Sequence, residues 1–320
     1  MAAAIFFIVL LTGFAQAAPR HLERVSVSGS DYVRLAEWSE SAGCFMKWSK
    51  GGGLIEISGR TARIDLSIDS RRAEISGVSV WLNLPVVQRN GVPLISLVDA
   101  CSTLEPLVAP RKSAARVETI CLDPGHGGKD TGKIQGRNFE KTYTLLLAQE
   151  TAAQLREQGF KVVLTRTNDQ TVDLSERAQL ASRRGADVFV SLHYNAAANQ
   201  SLHGVEVFCL APPGMNSSDE GGGKSNHPAE AGNGQDDRNV LLGYLMQKSI
   251  SRSLPLEDRG LKRSHFEVLR LSHIPAVLIE GGFLSDPQDA KDIYDDAFRK
   301  RMARAIVDGI IAYKRAAAQP

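Results

Sequence analysis

Four residues of this 320-residue chain, His126, Glu140, His193 and Glu280, have the types that hydrolytic metal chemistry needs. Two imidazoles and one carboxylate, with a position left open for water, are the ligand set of many catalytic zinc sites. Neutral imidazole and carboxylate suit zinc and bring no redox chemistry. A zinc ion held there polarises a carbonyl and lowers the pKa of a water toward neutrality. Glu280 follows the wholly apolar residues 276–279, where packing gives no reason for a carboxylate. It fits a general base that takes a proton from water and returns it to a leaving amine. Taken singly, each has a plainer reading. His126 could be a loop histidine among glycines, Glu140 a helix-end residue, and Glu280 a cap or an ion-pair partner.

The elements that must position them argue for a site. Residues 117–122 read as a buried strand, which Asp123-Pro124-Gly125 breaks so that His126 stands at its carboxyl end. Open α/β sheets place ligands at that rim. Asn138 is expected to cap a helix over 139–158, with Leu145, Leu146, Ala152 and Leu155 on its buried side and Glu140 in its first turn. Strands are predicted at 161–165, 188–192 (ending at His193) and 204–210, and a strand at 276–279 ends at Glu280. Helices are predicted at 173–184, 238–254 and 289–315. The alternation of strand and helix predicts an α/β fold, a mixed, mostly parallel sheet flanked by helices. Residues 211–237, rich in Gly, Ser, Asn, Asp and Pro, read as a mobile loop. His227 within it reads as a solvated loop histidine, with a fifth ligand as the alternative.

Ahead of this lies an expected small α+β accessory domain over 25–106. Its helices are predicted at 32–41 and 93–101, and its strands at 55–57, 62–68, 78–84 and 86–87. Residues 107–116 read as a linker, and the catalytic domain as 117–316. Residues 1–17 have the apolar core and the Ala15-Gln16-Ala17 pattern of a cleaved signal peptide, although no Lys or Arg precedes the core. The chain is therefore expected to be exported, to a periplasm or to the cell wall, with no membrane association after cleavage. A net charge of +2 and 6% aromatics demand neither nucleic acid nor an anionic membrane. Export permits disulfides among Cys44, Cys101, Cys121 and Cys209, and Cys44 with Cys101 is the pairing within one domain. No feature calls for an oligomer, and the chain reads as a monomer.

Several separated motifs, in order, resemble the exported zinc-dependent N-acetylmuramoyl-L-alanine amidases of the cell-wall hydrolases. They are Asp123-Pro124-Gly125-His126-Gly127-Gly128, Glu140-Lys141, Thr165-Arg166, Arg177, Ser191-Leu192-His193-Tyr194-Asn195, Gly204-Val205-Glu206, Arg259-Gly260, Val268-Leu269-Arg270, and Pro275 through Glu280 with Gly282-Phe283-Leu284-Ser285. The resemblance implies one zinc ion on His126, Glu140 and His193, with Glu280 as the catalytic carboxylate. It implies peptidoglycan as substrate, cleaved between N-acetylmuramic acid and L-alanine, and leaves a protein activator open. Tyr194 stands where the family more often has Ala, a change that could alter access to the groove, and Asp286 where Asn is usual. Arg270 is read either as orienting a substrate carboxylate or as an ion-pair partner, and Glu206 has no assigned chemistry. Residues 72–96, through Arg72-Ala73-Glu74-Ile75, Val80-Trp81-Leu82 and Gly91-Val92-Pro93-Leu94, resemble the small domain at the amino terminus of copper amine oxidases. Rival readings are a wall-binding protein without turnover, an exported zinc carboxypeptidase, and an adhesion role centred on the amino-terminal domain.

Overall fold

The computed structural model describes residues 22–49, 53–60, 62–110 and 116–318. The expected signal peptide and residues 111–115 of the expected linker lie outside them. Strands Lys161–Leu164, Thr119–Pro124, Val188–Asn195 and Ala276–Phe283 lie side by side in that order, all parallel. Val205–Leu210 adds antiparallel to Ala276–Phe283, and Asp258–Ser264 adds parallel to Val205–Leu210. Helices Glu140–Glu157, Asp236–Ser253 and Asp296–Ala318 pack on one face; Leu174–Arg183 and Glu267–Arg270 pack on the other. This is the mixed, mostly parallel α/β sheet expected of residues 117–316.

The amino-terminal residues do not stand apart from it. Val78–Trp81 pairs parallel with Asp258–Ser264 through Leu261 and Val80, and the meander Arg72–Ile75, Arg63–Leu66, Ile55–Ser58, Phe45–Trp48 carries the same sheet on to eleven strands. One apolar cluster runs through both parts, from Val33 and Ile57 to Ile250 and Ile306. Tyr244 Oη donates to the Ile75 carbonyl at 3.1 Å, and the buried Arg263 donates to the Ser102 carbonyl. Leu107 and Val108, expected in a linker, close the helix Glu105–Val108 and are buried.

Several elements differ from expectation. Residues 32–41 are a strand, Ser30–Arg34, followed by the helix Leu35–Ser41. The strand is hydrogen-bonded on both sides, to Arg24–Val27 and to Val92–Ser96, which outweighs the helical spacing of its apolar residues. Residues 92–96 are likewise a strand; helical structure begins at Leu97, where Ser96 Oγ accepts from the Asp99 amide. The closing helix is two helices, Pro287–Tyr294 and Asp296–Ala318. Cys44, Cys101, Cys121 and Cys209 are all thiols, so no disulfide joins Cys44 to Cys101. No described helix is long and apolar enough to cross a membrane.

Residues 211–237 are ordered rather than mobile. The Gly214 amide donates to the His227 carbonyl, Ser225 to Gly214 and Asn216 to Gly223, and helical turns form at Ser218–Glu220 and Ala231–Gln235. Glycine serves close approach here. A Cβ on Gly222 would lie 2.4 Å from Arg71 Cζ, and the neighbouring Gly223 amide donates to the Asn83 carbonyl. The segment thus packs on the amino-terminal layer and on Asp258–Ser264, where Asp219 meets Lys262 Nζ at 2.9 Å. His227 stacks on His265, ring centroids 3.8 Å apart.

Candidate metal and catalytic site

The turn that carries His126 is held by its carbonyls. Arg166 donates from Nε to the Pro124 carbonyl at 3.0 Å and from Nη2 to that of Gly125 at 2.8 Å. Arg177 donates to the Pro124 carbonyl at 2.9 Å and to that of His126 at 2.8 Å, while its Nη1 also binds the buried Asp123 at 2.7 Å. Asp123 accepts further hydrogen bonds from Thr165 and Ser191. Two buried guanidinium groups thus fix three successive carbonyls, enough to hold His126 in a left-handed conformation at φ +61°. Gly125 is required sterically, because a Cβ there would lie 2.2 Å from the His193 ring.

Glu140 lies in the first turn of its helix, as expected, and is the residue that opens it. Asn138 does not cap that helix: it lies in the short strand Asn138–Phe139, and its Oδ1 accepts from Tyr143. Leu146 is exposed, and Leu147 takes the buried place expected of it. His126 Nε2 and His193 Nδ1 meet the same oxygen, Glu140 Oε1, at 3.0 and 3.1 Å. One donor atom from each of the three residues falls within 4.8 Å of the others, so the trio could hold a metal ion. Burial pushes the Glu140 carboxyl up, but the hydrogen bonds and charge of His126 and His193 outweigh it and hold the group well below the usual carboxylate range. Around the trio, Asp130 Oδ2 lies 2.8 Å from His126 Nδ1, and the Lys133 amide donates to Glu140 Oε2 at 2.9 Å. Such outer partners fix ring orientation and ligand basicity in metal sites. Asp130 was legible only as the aspartate two residues after Gly128, and sequence reasoning passed over it.

Glu280 stands opposite His193 on one side of its strand and opposite Glu206 on the other. Its Oε2 is buried and, among the described residues, has no hydrogen-bond partner. Burial, then the charges of Glu140, Glu206 and Asp219, push this carboxyl well above its ordinary range, with Lys262 opposing. Lys262 is largely committed elsewhere: its Nζ binds Glu206 Oε1 at 2.8 Å as well as Asp219. Glu206 also accepts from Arg259 Nε at 2.6 Å and from Asn195 Nδ2 at 3.1 Å. A charged residue inside the otherwise apolar Val205–Leu210 was the signal that could have placed Glu206 beside the site.

The remaining candidates lie elsewhere. Arg270 pairs with Glu230 at 3.0 Å, and its helix follows the end of Asp258–Ser264 that lies away from Glu280. The ion-pair reading of Arg270 therefore fits its position. Tyr194 is buried, and its ring packs beside Gly281 and within the apolar cluster, so it does not line a groove. The two imidazoles of the trio remain about one-fifth exposed.

The family described as N-acetylmuramoyl-L-alanine amidase matches residues 120–312, well over half of the sequence. The chain belongs to this family. Among its relatives, the N-acetylmuramoyl-L-alanine amidase AmiA of Salmonella typhimurium is 34% identical over 226 residues, covering 63% of this chain and 78% of the relative. A solved amidase from Clostridium difficile 630 superimposes with a TM-score of 0.53 at 32% identity, covering 62% of this chain and 97% of that one. The CwlD amidase of Clostridioides difficile, solved in complex with the GerS lipoprotein, matches with a TM-score of 0.52 at 26% identity, over 61% of this chain and 98% of that one. The protein is thus a peptidoglycan hydrolase that cleaves the amide between N-acetylmuramic acid and L-alanine. The family match begins at residue 120 and leaves the amino-terminal layer outside it.

Proposed function

We propose that His126, Glu140 and His193 of this amidase hold one zinc ion and that Glu280 is its catalytic carboxylate. The observation that carries the reading is the convergence of three donors within 4.8 Å at strand Val188–Asn195, whose neighbouring strand presents a carboxyl oxygen that is buried and, among the described residues, unpartnered. The donor set, two imidazoles and a carboxylate, fits zinc. When bound, zinc supplies a Lewis acid that polarises the scissile carbonyl and makes water more acidic. The chain's own groups do the rest. Glu280 takes one proton from the attacking water and delivers it to the nitrogen of the departing L-alanine, so that hydroxide adds to the muramoyl carbonyl carbon and the C–N bond breaks. A carboxyl raised above its ordinary range by burial suits a group that must both accept and return a proton. Arg166 and Arg177 keep the His126 turn in place, and Asp130 orients its ring.

The same reading takes residues 1–17 as an export signal, since peptidoglycan lies outside the cytoplasmic membrane, and residues 25–106 as an accessory layer on a catalytic domain of 117–316. The GerS complex of CwlD supports keeping a protein activator in view. The deciding experiment is mass spectrometry of products released from purified peptidoglycan by residues 18–320 loaded with zinc. Intact stem peptides beginning with a free L-alanine amine should appear, and should vanish on chelation and in Glu280→Gln. Release that persists in either control refutes the metal or the base assignment respectively.

A further inference from the structure

Beside Glu280 the sheet carries an arginine whose terminal nitrogens the fold leaves open. Val205 stands opposite Asp258, but Glu206 stands opposite Gly260, so Arg259 is the extra residue of a bulge. Bulges re-aim side chains and recur next to active sites. Here Arg259 Nε donates to the buried Glu206 at 2.6 Å, and the guanidinium lies over the Phe283 ring, 5.2 Å from its centroid. The backbone is held as firmly. Trp81 Nε1 donates to the Arg259 carbonyl at 2.9 Å, and Gly260, at φ +94°, lies so close to Ser79 that a Cβ would come within 2.8 Å of the Ser79 carbonyl oxygen.

Among the described residues, the two Nη nitrogens have no hydrogen-bond partner, and besides Glu206 the carboxylate in reach is the half-exposed Glu257, 3.8 Å from Nη1. Lys262 satisfies the same Glu206 oxygen, so holding Glu206 does not use up the fork. The side chain is 21% exposed. Glu206 is directly opposite Glu280, and Phe283 lies three residues beyond Glu280 in its strand, so both anchors of the guanidinium adjoin the reacting end of the site. An arginine fixed through Nε and stacked on an aromatic ring presents its fork ready-formed to a planar carboxylate.

We propose that Arg259 is a substrate-binding residue that takes a free carboxylate of the stem peptide on the leaving-group side of the scissile amide. The proposal rests on Glu280 marking the reacting end of the groove. Its test uses two soluble muramoyl peptides that differ only in the second stem residue, whose carboxylate is free in one and a carboxamide in the other. The zinc-loaded full chain should favour the free acid in kcat/KM by roughly tenfold to a hundredfold, the range of a charge-assisted hydrogen-bonded pair. Arg259→Gln should collapse that ratio to near one, and Arg259→Lys should keep part of it. A wild-type ratio near one overturns the proposal without recourse to any variant. So does a ratio that survives in Arg259→Gln, because a residue that only supports the fold would slow both substrates alike. Chelation and Glu280→Gln, run on the same pair, should abolish turnover of both; if they do not, the metal and base assignment fails while the ratio still judges Arg259.

Discussion

Replacing Glu280 by Gln should change how stability depends on pH, and the structure fixes both the sign and the slope. The side chain lies between His193 and Glu206 in the sheet with Oε2 buried and unpartnered among the described residues, and burial with three acidic neighbours pushes its carboxyl well above the ordinary range. In the unfolded chain a glutamate ionises near about pH 4.3. Between that point and its raised folded value, the folded protein binds one more proton than the unfolded one. Stability therefore falls as pH rises through this window, by about 1.4 kcal/mol per pH unit, and levels off once the folded group has ionised. Glutamine has the same shape and no such proton. The stability of Glu280→Gln relative to wild type should thus grow by about 1.4 kcal/mol per pH unit through the window and be independent of pH below it. Urea unfolding of both proteins, metal-free and in matched buffers at half-unit steps from about pH 4 upward, measures it; groups common to both cancel. A difference that stays flat above the ordinary carboxylate range, or that grows toward acid, would refute the account of Glu280 as a buried, uncompensated acid.

Three further outcomes follow from the same contacts. Gly125→Ala places a methyl group 2.2 Å from the His193 ring, so the ring must shift; zinc bound per chain should fall while far-ultraviolet circular dichroism is unchanged, and full zinc occupancy would count against the crowding argument. Arg177→Met leaves Asp123 buried without its cation, removes the donor to the His126 carbonyl and leaves the Pro124 carbonyl to Arg166 alone, which should cost about 3–5 kcal/mol in chemical unfolding; a loss under about 1 kcal/mol would mean the turn holds without it. Truncation to residues 117–320 removes the amino-terminal partners of Arg263, Asp258 and Tyr244 and exposes to water the apolar surface that the shared core buries. The truncated chain should melt well below the full one, and equal midpoints would show the layer to be dispensable.

What the sequence made legible follows from how each element is stabilised. Thr119–Pro124, Val188–Asn195 and Ala276–Phe283 are buried on both faces and read as short apolar runs, and the polar residues that interrupt such runs, His193 and Glu280, stood out as anomalies. Asp258–Ser264 was invisible for the opposite reason. Its Lys262 and Arg263 are buried but paired with Glu206 and Asp236, so a strand with one apolar side chain, Leu261, carries no hydrophobic period. Residues 211–237 were misjudged because composition reports how little a segment can bury. Their order comes from capping, tight turns and close backbone approach, as at Gly222 against Arg71.

The continuity of the sheet was the least legible feature, and it bears most on function. Nothing local in Val78–Trp81 marks it as the neighbour of a strand some 180 residues later, since its register to Asp258–Ser264 rests on the single pair Val80 and Leu261 with flanking bonds from Ser79 and Trp81. Without that neighbour, Asp258–Ser264 would be an edge strand presenting unpaired backbone groups. With it, the strand that supplies Arg259 and Lys262 to Glu206 is gripped on both sides, and Glu206 is in turn the direct neighbour of Glu280. Substitution of Trp81, whose indole holds the Arg259 carbonyl, should therefore reach the Glu280 carboxyl through two strands of hydrogen-bonded sheet, although Trp81 lies outside the part of the chain that the family match covers.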